Sequence, residues 1–322
     1  MTVVDNDALT PARACPYHFD PNPNSARTAE LYQDIIGRLG LNGHDGAHVL
    51  GSAVNIVGAA AMVYPAVDED TLLAGALWIA TLIVNDDRWD NVGTAAYTPG
   101  QVERALHLIE RGAHDARALQ REDDDPFAGL LGATIQAIHR VAGAPATARI
   151  VREIKNSFLG MHWERKLNPK DLGFSLHSYL AVRRLYSTMN VQVLLDRCFN
   201  GSPQMVIEDD DPIIGCIDEI VCRFGALAND YYSWHREKQH VDASNAVGLL
   251  MHTEALSESD ALTRVAQLSE QAIADFTSIE NAIENDVSPR TRGAEILAQF
   301  DVHKPLLAAA ARWPEQTSRY DV

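Results

Sequence analysis

Asp86, Asp87 and Asp90 form one acidic cluster, and Asn229, Ser233 and Glu237 form a polar row at intervals of four residues far downstream. Residues four apart share one face of a helix, so Asp86 and Asp90 point the same way, as do Asn229, Ser233 and Glu237. Both sets are hard oxygen donors with few sulfur or imidazole partners. Such donors suit Mg²⁺, which keeps several waters and is commonly shared with a substrate phosphate. Asp86 follows Leu77–Val84, a stretch apolar on all sides, and a buried helix ending in carboxylates needs cations to hold them. The plainer alternatives are a solvated helix end for the aspartates and a polar surface stripe for the downstream row. Three different oxygen donors at i, i+4 and i+8 make no ordinary surface pattern, and that favours a metal-held diphosphate. Two other acidic runs, Glu122–Asp125 and Glu208–Asp211, lead into proline and lack the fourth-position aspartate. They read as loop and helix-start residues favoured by the helix dipole.

Asp86-Asp87-x-x-Asp90 followed by Asn229-Asp230-x-x-Ser233-x-x-x-Glu237 resembles the class I terpene synthases, specifically the compact bacterial single-domain terpene cyclases. Tyr64-Pro65, Trp163-Glu164, Tyr179-x-x-x-Arg183 and Trp313-x-x-x-Thr317-x-Arg319-Tyr320 are similar to landmarks of that family and occur in its order. The resemblance implies three Mg²⁺ ions, with Asp86 on two of them, Asp90 assisting, and Asn229, Ser233 and Glu237 on the third. It gives Asp87 and Asp230 the work of pairing with arginine or orienting the ligands. Arg183, rather than Arg184, becomes the diphosphate-sensing arginine, and a planar, permanently charged fork is apt for phosphate oxygens. The family continues from there into a helix break containing glycine, whereas this chain has Tyr186-Ser187-Thr188. Ser and Thr can bend a helix by bonding back to its carbonyls, and Ser187 is the candidate for that position. Arg319 and Tyr320 would close over the diphosphate as part of a C-terminal lid, where an arbitrary chain would have a frayed tail. Arg236 would add a basic phosphate contact, and His162 and His235 read as ordinary polar positions.

The activity so implied is ionisation of a linear all-trans prenyl diphosphate and cyclisation of the carbocation to a terpene hydrocarbon or alcohol. Metal and arginine stabilise the leaving group. The cation needs a dry, contoured pocket, in which each aromatic face adds ~0.5–2 kcal/mol. Trp78, Phe158, Tyr186, Phe224, Trp234 and Trp313 are the aromatic candidates, and Trp234 has solvent as its alternative. Gly58-Ala59-Ala60-Ala61-Met62 and Thr81-Leu82-Ile83-Val84 are small or aliphatic where related sesquiterpene cyclases carry bulky aromatics. A roomier cavity favours geranylgeranyl diphosphate (C20) slightly over farnesyl diphosphate (C15).

These residues must be positioned by helices. Apolar spacing is helical at about 28–39, 46–63, 68–91, 100–119, 127–142, 146–167, 175–199, 211–240, 255–284 and 290–312, and nothing alternates with period two. Pro65, Pro99-Gly100, Asp125-Pro126, Ala144-Pro145, Pro169, Pro203 and Pro289 punctuate the breaks. The expected fold is all-α, a single-domain class I terpenoid synthase-like bundle around a central apolar cavity. Residues 1–25, rich in Pro and Asn, form an arm that opposes helix, and residues 26–322 form the catalytic domain.

Composition narrows the partners. The hydrophobic fraction of 46% supports a large core, and the net charge of −17 without a basic stripe excludes a nucleic-acid partner. Bound Mg²⁺ reverses the local sign for an anionic substrate. Cys15, Cys198, Cys216 and Cys222 show no Cys-x-x-Cys spacing and the start lacks a leader pattern, so free thiols and a cytoplasmic location are expected. Leu72–Val84, about 13 residues, is too short for a span of roughly 20, so no membrane insertion is expected. The resemblance adds an antiparallel homodimer as an expectation.

Three rivals fit less well. A chain-elongating prenyl diphosphate synthase needs a second Asp-Asp-x-x-Asp, and the sequence has that pattern only at Asp86. A protonation-initiated cyclase needs Asp-x-Asp-Asp, which Asp68-Glu69-Asp70-Thr71 and Asp209-Asp210-Asp211-Pro212 both miss. An inactive helical binding protein of cyclase ancestry would have no need to keep the metal row, Arg183 and Arg319-Tyr320.

Overall fold

The computed structural model describes residues 9–41, 53–90, 103, 106–111, 126–164, 173–207, 211–239, 244–286 and 292–317; of residues 53, 85–90, 126, 127 and 162 it describes the backbone alone. Every regular element among the described residues is helical. The helices are α1 (Pro11–Ala14), α2 (Ser25–Arg38), α3 (Ala53–Val63), α4 (Glu69–Asp90), α5 (Pro126–Glu164), α6 (Leu176–Tyr186) and α7 (Met189–Asp196). A π-helical turn over Arg197–Gly201 follows, then α8 (Pro203–Ile207), α9 (Pro212–Glu237), α10 (Ala246–Thr253), α11 (Glu258–Glu284) and α12 (Gly293–Gln316).

Local chemistry explains where these elements depart from the expected bounds. The N-terminal arm contains a helical turn, α1, because Pro11 occupies a first position where no N–H is needed and the Thr10 hydroxyl accepts from the Arg13 N–H at 3.3 Å. The helices expected at 127–142 and 146–167 form one element bent at Gly143, whose φ of 73° only glycine adopts without strain. The helix expected over 175–199 is interrupted at Ser187–Thr188 and ends in the π-helical turn. Neither α8 nor α10 was anticipated; both are shorter than the span over which a 3.6-residue period becomes visible.

The chain divides into two compact units, one of which comprises Phe19–His162 and Leu194–Asp209. Here α2, α3 and α4 pack on one another around the fully buried Tyr32, Ile56, Tyr64, Leu72 and Trp78. Asn22 Nδ2 donates to the carbonyls of Tyr64 (2.7 Å) and Val67 (2.9 Å), which fixes the turn into α4. The Tyr64 ring meets Phe199 edge-on at a centroid distance of 5.3 Å and lies over Gly75, where a β-carbon would approach it to 2.4 Å. Thr81 and Thr134 hydroxyls, 2.8 Å apart, join α4 to α5. α4 is thus buried along most of its length up to Ile83, and its last turn carries the Asp86–Asp90 backbone.

The other unit comprises Met1–His18, Trp163–Val193 and Asp210–Val322. Its α9 packs against α6, α10, α11 and α12, burying Ile217, Val221, Phe224 and Leu227. Asp211 caps α9 by accepting from Ile213 N at 2.9 Å, with Pro212 at the first position, which is the helix-start role expected of that acidic residue. The arm is tied down by Arg312 of α12, which donates to the carbonyls of Tyr17 and Cys15, the latter at 2.8 Å. All four cysteines are free thiols. No described helix is long and apolar enough to cross a membrane.

Candidate active site

α6 presents Tyr179 and Arg183 one turn apart, and both meet Asp230 of α9. Asp230 is completely buried. Arg183 Nε and Nη2 donate to its Oδ1 at 3.0 and 2.8 Å, while the Tyr179 hydroxyl and the Ala246 N–H donate to Oδ2 at 2.7 and 3.0 Å. Each carboxylate oxygen therefore takes two hydrogen bonds, which a buried charge requires. Arg183 Nη2 also donates to Asn229 Oδ1 at 2.8 Å, and its guanidinium carbon lies 4.9 Å from the Tyr186 ring centre. Nη1 donates to no described residue.

The electrostatics follow from this packing. Burial alone would disfavour the charge of Arg183, but the Asp230 carboxylate more than restores it and keeps the guanidinium cationic. Burial, then the negative charge of Asp230, pushes the Tyr179 hydroxyl well above the usual phenol range, so it remains a donor. This settles Asp230 into the arginine-pairing role expected of it, and Arg184 is exposed one residue away.

Asn229, Ser233 and Glu237 occupy successive turns of α9, Ser233 being buried and the other two half-buried. Burial, reinforced by nearby Asp230, raises the Glu237 carboxyl above its ordinary range despite the hydrogen bonds and the positive charge around it. A carboxylate in that position has less positive charge around it than its burial calls for. An amide oxygen, a hydroxyl and such a carboxylate on one helical face fit a hard divalent cation.

One residue of the cluster escaped sequence reasoning. Asn245 Nδ2 lies 2.9 Å from the Asp230 carbonyl, 2.9 Å from Glu237 Oε2 and 3.4 Å from Ser233 Oγ, while its Oδ1 accepts from Val247 N at 2.8 Å and caps α10. Its signal was a helix-capping residue directly before the apolar run Ala246–Leu250. Ser244 was missed as well; its Oγ lies 2.8 Å from the Tyr186 hydroxyl.

Between α6 and α7 the chain breaks where the resembling family carries glycine. Ser187 N donates to Arg183 O at 2.8 Å and ends α6; Thr188 then adopts φ 60° and donates its hydroxyl to Ser187 O at 2.6 Å. The left-handed residue is thus Thr188, one position after Ser187. Ser187 Oγ is buried without a hydrogen bond to any described residue.

Of the remaining candidates, Trp78 and Ile83 are buried on α4, in the first unit described above, as is Phe158 on α5. Phe224 and Tyr186 are buried and Trp313 half-buried in the second unit. Trp234 does not face solvent: it is buried, and its Nε1 donates to Glu258 at 3.1 Å. Arg236 is partly exposed beside Glu237. The side chains of Asp86, Asp87 and Asp90, and Arg319 and Tyr320 altogether, lie outside the described residues.

Residues 77–275 match the family model described as terpene synthase family 2, C-terminal metal binding. The chain is 42% identical over 302 residues to terpentetriene synthase of Kitasatospora griseola, covering 93% of this chain and 96% of that one. The ancestrally reconstructed protein SVS_A2 superposes with a TM-score of 0.73 at 20% identity, covering 94% of this chain and 88% of that one. The linalool/nerolidol synthase of Streptomyces clavuligerus superposes with a TM-score of 0.71 at 16% identity, covering 93% and 98% respectively.

Proposed function

Because the chain belongs to the bacterial class I terpene synthases, lyases whose family description includes a metal-binding C-terminal region, we propose that it ionises a linear all-trans prenyl diphosphate with Mg²⁺ and cyclises the carbocation. Geranylgeranyl diphosphate is the favoured substrate over farnesyl diphosphate, and the product is a terpene hydrocarbon or alcohol. The observation that carries this reading is the state of Arg183: it is buried, held on one edge by Asp230 and Asn229, and has Nη1 committed to no described residue.

Arg183 contributes a fixed positive charge that needs no reorganisation when a diphosphate arrives, which is how a preorganised site stabilises a leaving group. Asn229 links that arginine to the oxygen row on α9. When bound, Mg²⁺ supplies Lewis-acid stabilisation of the diphosphate. Asn229, Ser233 and Glu237 would hold one ion, and Asp86 and Asp90 the others. Arg236, Arg319 and Tyr320 would contact the diphosphate, and Ser187 would mark the helix break beside it. Trp78, Ile83, Tyr186, Phe224 and Trp313 are proposed as apolar and aromatic surroundings for the isoprenoid. The 26–322 span would then be one catalytic domain preceded by the 1–25 arm, acting in the cytoplasm and pairing as a homodimer.

Incubation of the purified protein with Mg²⁺ and each of the C10, C15 and C20 diphosphates tests the substrate, with a cyclised C20 product expected. Turnover of C15 with none of C20 would overturn the preference. Asp86→Ala and Asn229→Ala should each abolish turnover while leaving the helical circular dichroism unchanged, and an active variant would remove that residue from the metal set. Chain elongation on adding isopentenyl diphosphate would favour a transferase instead.

A further inference from the structure

Asn245 does two things at once, accepting through Oδ1 and donating through Nδ2. Its Oδ1 takes the Val247 N–H at 2.8 Å, which fixes the amide so that Nδ2 must face α9. The two hydrogens of Nδ2 are then used on the Asp230 carbonyl and on Glu237 Oε2, both at 2.9 Å, with Ser233 Oγ a longer contact at 3.4 Å. The residue is buried. Asp230 returns the contact by accepting the Ala246 N–H at 3.0 Å, so the start of α10 and the α9 row are stapled in both directions. Glu237 is the last residue of α9, where a helix would otherwise fray and a long carboxylate would sample several rotamers. A donor on Oε2 restricts that side chain.

We propose that Asn245 is a positioning residue for the divalent cation held by Asn229, Ser233 and Glu237, setting the Glu237 and Ser233 side chains before the ion arrives. The inference rests on reading that row as a metal site. Hydrogen-bonding partners of metal ligands are commonly worth about 10- to 100-fold in affinity. Its alternative is that Asn245 only caps α10. The two roles separate chemically, because Ser and Thr also cap helices but offer no N–H to a carboxylate.

The test uses Asn245→Ser and Asn245→Thr in the full chain, with binding of Mn²⁺ alone followed by loss of its free-ion paramagnetic resonance signal. Both variants should stay folded without metal, since the cap survives, with a lower melting temperature for the lost Nδ2 hydrogen bonds, and both should bind Mn²⁺ about tenfold more weakly or worse. With Mg²⁺ in turnover, the concentration for half-maximal rate should rise while the rate at saturation recovers. Either folded variant binding Mn²⁺ within about twofold of wild type would reduce Asn245 to a cap and overturn the proposal. Wild-type protein binding Mn²⁺ no better than Asn229→Ala would instead sink the reading of the row itself, and the role of Asn245 with it.

Discussion

Arg183 reaches across from α6 to Asp230 of α9 and places two nitrogens on one carboxylate oxygen, at 3.0 and 2.8 Å, with both side chains buried. The other oxygen is occupied by Tyr179 and by the Ala246 N–H. The pair therefore has little rotational freedom, and the remaining edge of the guanidinium keeps a fixed orientation. In the proposed reaction, a charge fixed in this way would stabilise a leaving group as a mobile surface arginine would not.

Removing Asp230 strands that guanidinium away from water. Asp230→Ala should cost about 3–5 kcal/mol of stability, the usual penalty for breaking a buried pair from one side. Tyr179→Phe removes one hydrogen bond to a charged group and should cost about 1.5–3 kcal/mol. Urea unfolding of the two variants measures the order. A loss under about 1 kcal/mol for Asp230→Ala would mean that the arginine finds water or another partner.

The shared helical face of Asn229, Ser233 and Glu237 was legible because spacing along a helix is a property of the chain itself, whereas Arg183 was singled out by the resemblance. Asn245 was not, although its capping pattern was visible: its importance comes from pairing across to Glu237, and capping alone says nothing about what the other half of an amide will meet. The break after α6 was legible as a departure from glycine, yet periodicity could not assign the left-handed conformation to Thr188 over Ser187. Most long helices followed from apolar spacing, whereas α8 and α10 were too short to show a period.

Thr188 should reverse a normal rule of substitution. Both Thr188→Ala and Thr188→Gly lose the hydroxyl bond to Ser187 O, so their difference isolates the backbone. At φ 60° an L-residue carries a cost of about 1–2 kcal/mol that glycine does not, partly offset by the greater freedom of glycine in the unfolded chain. Thr188→Gly is therefore expected to be more stable than Thr188→Ala by roughly 0.5–1 kcal/mol, where glycine ordinarily loses by that amount. Thermal unfolding of the pair decides, and the opposite order would place Thr188 in an ordinary conformation.

Two glycines allow close packing of unequal rigidity. A β-carbon on Gly75 would meet the Tyr64 ring at 2.4 and 2.6 Å, and one on Gly225 would meet Met189 Cε at 2.4 Å. The tyrosine is fully buried and held edge-on by Phe199, whereas the methionine end has several rotamers to retreat into. Gly75→Ala should cost about 1–3 kcal/mol, and Gly225→Ala distinctly less. Equal losses in denaturant unfolding would contradict the packing of Tyr64 over α4.

Alkaline pH should unfold the protein through its buried phenols. Burial raises the hydroxyls of Tyr32, Tyr179, Tyr186 and Tyr232 above the ordinary tyrosine range and pushes the Cys198 thiol up to about 12. In the unfolded chain these groups lose their protons near pH 10 for tyrosine and about 8.5 for cysteine. Between those values and the raised ones the unfolded state binds fewer protons than the folded state, so stability falls as pH rises. The stabilising contribution is complete below the unfolded values and is lost on the way up. Melting temperature should therefore decline from about pH 9 upward, with tyrosinate absorbance from these residues developing only as the helical signal is lost. Tyr32→Phe should blunt the decline at little cost at neutral pH, because the Tyr32 hydroxyl is buried without a hydrogen bond to any described residue. Full tyrosinate absorbance in a protein that keeps its helical signal would show that these hydroxyls are open to solvent, contrary to their packing.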